Sequence, residues 1–240
     1  MRRRSGFTLI EISIVLVVIG LVTSGVLVGQ MLIRSAELRK AVKQREEFDT
    51  AANTFRTKYN CIPGDCAAAY ELGLARDVYD TSIYGQAGNG NQMIGAPGGT
   101  EFQSEAASFW YHLSQAQLIR WQPLNPEDMD LSITCEPRGG GPCLAFNSSS
   151  ADGRRAGWWV HSTYSGVFIT NTFGQLQPGN YLWIAGALGL SSLTGAGVLL
   201  PTDAYEIDAK IDDGFPLSGS VLAASDTPAA IYGPTDATLD

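Results

Sequence analysis

Positive charge is scarce in this chain beyond residue 59. Residues 60–240 hold six Lys and Arg against 19 Asp and Glu, while residues 1–59 hold ten against five. A segment with a net charge near −13 repels phosphate backbones, so nucleic acid is not an expected partner. No Gly-x-x-x-x-Gly-Lys-Ser/Thr run occurs, and the glycines of residues 84–101 follow no clear strand, which argues against a phosphate-binding loop. Histidine is limited to His112 and His161. His161 lies in a strand-like run with no Ser or Cys of a recognised motif beside it. His112 sits one position off an apolar helical stripe, as a surface or capping residue would. Without a nucleophile motif, a metal triad or a nucleotide loop, no enzymatic activity is expected. Cysteine is missing from the first 60 residues, Pro and Gly from residues 34–59, and charge from residues 7–33 apart from one acid.

That acid is Glu11. The run from Phe7 to Ile33 is 27 residues long. A helix of that length rises roughly 40 Å, and about 20 residues suffice to cross a bilayer. Arg2, Arg3 and Arg4 precede the run, which keeps the leader on the cytoplasmic side and sends the rest of the chain across. A secretory signal peptide shares the basic start, but has a shorter apolar core with its cleavage site beyond it. An ionised carboxylate alone in hydrocarbon is costly, so Glu11 calls for a cationic partner in the membrane or in an assembly. The bland alternative is a plain signal anchor whose one acid reaches back to water.

Gly6-Phe7-Thr8-Leu9-Ile10-Glu11, with the basic leader before it and the apolar run after it, resembles the processing motif of type IV prepilins and type II secretion pseudopilins. The resemblance covers the first 60 residues well and the remainder loosely. It implies that a prepilin peptidase/N-methyltransferase cuts between Gly6 and Phe7 and methylates the new amine. Cutting there leaves the anchor whole and places a positive charge at its start. Glu11 could then pair with the Phe7 amine of a neighbouring subunit, a contact that sets register whatever its net stabilisation. The family often has a helix-breaking proline where Val28 stands, so local melting of the helix there is not expected in this chain.

After the apolar run, Leu38, Ala41, Arg45, Phe48, Ala52, Phe55 and Tyr59 recur at steps of three and four, which makes one helical face. One helix is therefore predicted from the membrane segment to Tyr59. Its later part packs beneath a globular head, and Arg34, Arg39, Lys40 and Lys43 form a solvated or lipid-headgroup face. The expected organisation is a cleaved leader (1–6), a transmembrane and filament-core helix (7–33), an amphipathic stalk (34–59) and an acidic head (60–240).

The head's four cysteines, Cys61, Cys66, Cys135 and Cys143, suggest an oxidising compartment. Three pairings are open. The local ones are favoured, because Pro63-Gly64 and the Gly/Pro-rich loop before Cys143 let both loops close tightly. Intervals of four and seven residues do not suit zinc. The segment YNCIPGDC again resembles pseudopilin-like proteins, in which a Pro-Gly-Asp turn closes the long helix. Residues 84–101 read as an irregular loop. A second helix over residues 101–120 buries Phe102, Ala106, Phe109, Leu113 and Ala116. The runs GWWVHS, GVFITNTF and YLWIAGALG suit an antiparallel sheet behind the stalk, with Trp158, Trp159 and Trp183 in its core or on its faces. A last short helix after Pro201 buries Ala204, Ile207 and Ile211, stops at Gly214 and Pro216, and has capping-box spacing at Asp203 and Glu206. Asp208, Asp212 and Asp213 crowd its end. They read either as a solvated acidic face or as hard oxygen ligands for calcium; no other cofactor is expected.

The fold class expected is α+β and pilin-like: a long N-terminal helix and a head of antiparallel sheet, a further helix and long loops. The resemblance implies a structural subunit, a pseudopilin or minor pilin, of a type IV pilus-like or type II secretion filament. Its partners would be the peptidase, other pilin subunits, an inner-membrane assembly platform and, before assembly, lipid. It would sit single-pass in the bacterial inner membrane with its head in the periplasm, then in a periplasmic or surface filament. Two alternatives stand: a major or adhesive pilin whose head binds surfaces or DNA, and a membrane-anchored periplasmic binding or hydrolytic domain that does not polymerise.

Overall fold

The computed structural model describes residues 8–74, 88–94, 102–122, 135, 141–145, 156–162, 179–185, 199–215 and 218–221. Helix α1 spans Leu9–Tyr59, 51 residues without a break, and runs through Val28. Its first turn is closed by a capping box between Thr8 and Glu11. Its end is Asn60 in the left-handed region (φ 57°), with its N–H on the Arg56 carbonyl. Asparagine tolerates that conformation, and Pro63 cannot extend the helix.

Four further elements follow: α2 (Phe102–Gln115), β1 (Gly157–Ser162), β2 (Asn180–Ala185) and α3 (Pro201–Ile211). Strands β1 and β2 pair antiparallel in the register Gly157↔Ala185 to Ser162↔Asn180. Cys143 adds a bridge to Gly157 on the other side of β1. The fold is thus α+β, with one long helix and a small antiparallel sheet. The run GVFITNTF, the side chain of Trp183 and the C-terminal tail lie outside the described residues.

The core forms where α1, α2 and β1 meet. Phe48 of α1 meets Trp110 of α2 edge-on at 4.9 Å and Trp158 of β1 at 5.8 Å. Such pairs contribute roughly 0.5–1.5 kcal/mol each beyond their buried area. Trp158, Trp159 and Val160 are consecutive and all buried, so β1 is covered on both faces rather than on one. Gln44 of α1 joins the layers, accepting from Trp158 Nε1 at 2.8 Å and donating to the Cys143 carbonyl at 2.7 Å.

Packing corrects the sequence expectations at several points. The stalk seam buries Leu38, Ala41, Phe48, Ala51 and Phe55, with Ala52, Arg45 and Tyr59 half-buried at its margin. His112 is fully buried, not superficial. Its Nδ1 accepts from the Gly64 N–H at 3.0 Å, and its ring lies parallel to Phe55. Helix α2 is enclosed on nearly all sides, so position relative to a single stripe does not decide exposure. On α3, Ile207 is buried and Ala204 and Ile211 are half-buried. The predicted capping box is not formed there: the N-cap is Leu200, without a side-chain bond. Asp203 is turned to Arg34 of α1 instead.

Candidate functional site

Among the described residues, the candidate site begins with the first helical turn. The Thr8 N–H and hydroxyl both donate to Glu11 Oε2, at 2.8 and 2.7 Å, and the Glu11 N–H returns to Thr8 Oγ1 at 3.4 Å. Within a single chain Glu11 is therefore held by Thr8, and the helix N-terminus favours its negative charge. Sequence alone offers Glu11 an external cation or water, and not a partner within its own turn. The Thr-x-x-Glu spacing was the signal for this second partner. Gly6 and Phe7 lie outside the described residues.

Beyond that turn the helix is bare. Every large apolar side chain given for residues 9–33 is exposed, from Ile12 at 47% to Leu9 at 88%. No face is spared, so this is a helix apolar all round with no cover from its own chain. It is long and apolar enough to cross a membrane.

Cover starts abruptly at Arg34. Its guanidinium grips Asp203 of α3 through Nε at 3.1 Å and through Nη2, and also reaches Glu37 at 3.2 Å. Asp203 above all holds the Arg34 guanidinium above its ordinary value, against the opposing pull of burial; Glu37 adds to the rise. The two-pronged geometry makes this a directional clamp between stalk and head rather than a loose surface pair. Arg34 thus leaves the solvated basic face expected of it, while Arg39, Lys40 and Lys43 remain exposed.

At the far end of α1 the head is stapled. Cys61 pairs with Cys66 and Cys135 with Cys143, with Cα atoms 5.2 and 4.5 Å apart. Between the first two, Gly64 adopts φ +85°, and a Cβ there would lie 2.4 Å from the Glu105 carbonyl, so only glycine lets this turn rest on α2. Asp65 is buried, and its carboxylate accepts from the N–H groups of Gly90 at 2.6 Å, Asn91 at 3.3 Å and Gln92. Burial pushes its carboxyl above the ordinary value, against the pull of these N–H groups. Within the loop seen in sequence as irregular, residues 90–92 therefore converge on one carboxylate. Its Gly-Asn-Gly-Asn run, a row of backbone donors needing an acceptor, was the available signal.

The third cluster closes α3. Carboxylate oxygens of Asp208, Asp212 and Asp213 all lie within 4.8 Å of one another. Asp208 is 4% exposed, and its Oδ1 has no hydrogen-bond partner. Burial pushes its carboxyl up, opposed by the Gly214 N–H and reinforced by the charges of Asp213 and Asp212. Asp213 accepts from the Ser218 hydroxyl and the Phe215 N–H, at 2.6 and 2.8 Å, and these hold its carboxyl below the ordinary value. The Ser220 N–H donates to Asp212. The solvated-face reading thus fits Asp212 and Asp213 but not Asp208.

Residues 1–27 match the prokaryotic N-terminal methylation motif, the signature of type IV prepilins and pseudopilins. No curated protein and no solved structure matches the chain.

Proposed function

We propose, from the premise that the N terminus carries a type IV prepilin signature, that the protein is a pseudopilin or minor pilin of a type IV pilus-like or type II secretion filament. The observation that carries this is the bare half of α1: an all-round apolar surface beside a helix whose other half is covered by its own head. Such a surface needs lipid first and neighbouring subunits afterwards. Cleavage after Gly6 and methylation at Phe7 would leave a positive amine four residues before Glu11. In an assembly that amine, from the adjacent subunit, replaces Thr8 as the partner of the carboxylate. The role is mechanical: the peptidase acts on the chain, and the head decorates the filament. Mass spectrometry of the mature protein tests it. N-methyl-Phe7 is the expected terminus; a retained Met1, or a cut beyond the apolar run, overturns the reading.

Asp208, Asp212 and Asp213 support a cation site within the head, and calcium is the ion we propose for it. Three converging carboxylates repel one another, and among the described residues no Lys or Arg pairs with any of them. A hard cation would satisfy the buried Asp208 oxygen and tie the end of α3 to Asp212 and Asp213. Calcium added to chelator-treated full-length protein in detergent should raise its melting temperature by several degrees at saturation. Asp208→Asn should abolish that rise. No rise in the unsubstituted protein, or an equal one in Asp208→Asn, counts against the site.

A further inference from the structure

Among the described residues, the head first meets α1 at the end of the apolar run. Ile33 is exposed, Arg34 is clamped to Asp203, and Leu38 is 1% exposed beneath the head. There is no spacer: α3 docks within one turn of the point where the first charge after the span appears. Outside α1, the large apolar side chains exposed among the described residues are Tyr70, Leu72, Leu200, Tyr205 and Phe215. Three of these five belong to α3 and its flanks. Leu200 precedes the helix at 63% exposure, Tyr205 is two residues past Asp203 at 53%, and Phe215 is 61% exposed. Gly214, next to Phe215 along the chain, lies against the Tyr205 ring: a Cβ on it would be 3.2 Å from Tyr205 Cε2. Tyr70 and Leu72 instead follow the Cys61–Cys66 turn, beyond a stalk that rises roughly 37 Å from Arg34 to Tyr59.

We propose that Leu200, Tyr205 and Phe215 form a membrane-facing foot, seated in the interfacial layer of the bilayer before the subunit is extracted. The occupant is phospholipid at headgroup depth. Its chemistry suits an aliphatic and two aromatic side chains, which partition to that layer, and the stalk carries exposed Arg39 and Lys40 five and six residues beyond Arg34 for phosphate. The Arg34–Asp203 clamp holds the foot at that level. A head seated in this way fixes the rotation of α1 in the membrane, and so the direction in which Glu11 meets an incoming subunit. The foot rests on the membrane-spanning reading of residues 9–33, and the test separates the two.

All four native cysteines are in disulfides, so an introduced thiol takes a label alone. Full-length Val22→Cys, Tyr205→Cys, Phe215→Cys and Tyr70→Cys proteins, each carrying an environment-sensitive fluorophore, are reconstituted in phosphatidylethanolamine/phosphatidylglycerol vesicles. Quenching lipids carry spin labels at the headgroup or deep in the acyl chain. Position 22 should respond to the deep quencher. Positions 205 and 215 should respond to the headgroup quencher at least about twofold more strongly than position 70. If 205 and 215 match 70 while 22 is quenched, the span stands and the foot is overturned. If 22 is not quenched, the span falls and the foot with it. Arg34→Ala should lower quenching at 205 and 215 toward the level at 70 without moving 22; unchanged quenching there would remove the clamp from the argument.

Discussion

Residues 9–33 and 34–59 belong to one unbroken helix, yet they carry opposite surfaces. In the second half apolar residues keep to one face, because the head covers that face and water wets the other. In the first half they occupy every face, because no part of the chain covers any of them. Periodicity along a helix therefore reports how many sides are dry. Where it disappears into uniform apolarity, the missing partner lies outside the chain on all sides. Charge tells the same story: the one acid in the bare half is capped by Thr8, while in the covered half Arg34 pairs across to Asp203 and along to Glu37, and Arg45 pairs with Asp49.

If the halves differ as described, substitutions in them should fail in different ways. Glu11→Val should leave membrane insertion intact and abolish filament incorporation; co-sedimentation of the variant with assembled filaments at the normal level would break the contrast. Phe55→Ala empties a fully buried site between α1 and α2 and should cost about 3–5 kcal/mol. Val18→Ala, on the exposed half, should change head stability by less than about 0.5 kcal/mol in the same denaturant titration of tryptophan fluorescence. Arg34→Ala should cost about 1–3 kcal/mol, since it leaves the Asp203 carboxylate buried without its cation while the arginine itself is partly solvated. Conservative Arg34→Lys should recover only part of that, because lysine lacks the fork. The most local effect belongs to Thr8→Val: loss of the cap should raise hydrogen exchange of the first-turn amides by about fivefold and leave the head unchanged.

Much of the architecture was readable before any coordinates. The extent of α1, the existence of α2 and α3 and the GWWVHS strand all follow from periodicity and from Pro and Gly placement, which act over a few residues. What escaped was long-range pairing of polar groups. Asp203 was read as a cap for its own helix, and Arg34, 169 residues away, took it instead. Asp65 was read as part of a turn, and it organises a loop 25 residues on. His112 was placed outside because one stripe was counted, whereas α2 is enclosed on nearly all sides. In each case a strong local pattern existed and a buried charge or ring found a better partner elsewhere.

The amino-acid order alone determined the N-terminal methylation motif over residues 1–27, the single long helix and the acidic balance of residues 60–240, because leader charge, apolar length and helical period are properties of neighbours along the chain. Only the tertiary structure decided where that head sits on the helix, which carboxylates are buried, and which apolar side chains stay bare beside Arg34. Those outcomes depend on which distant groups exclude water from one another, and desolvation is a property of the packed chain rather than of any segment of it.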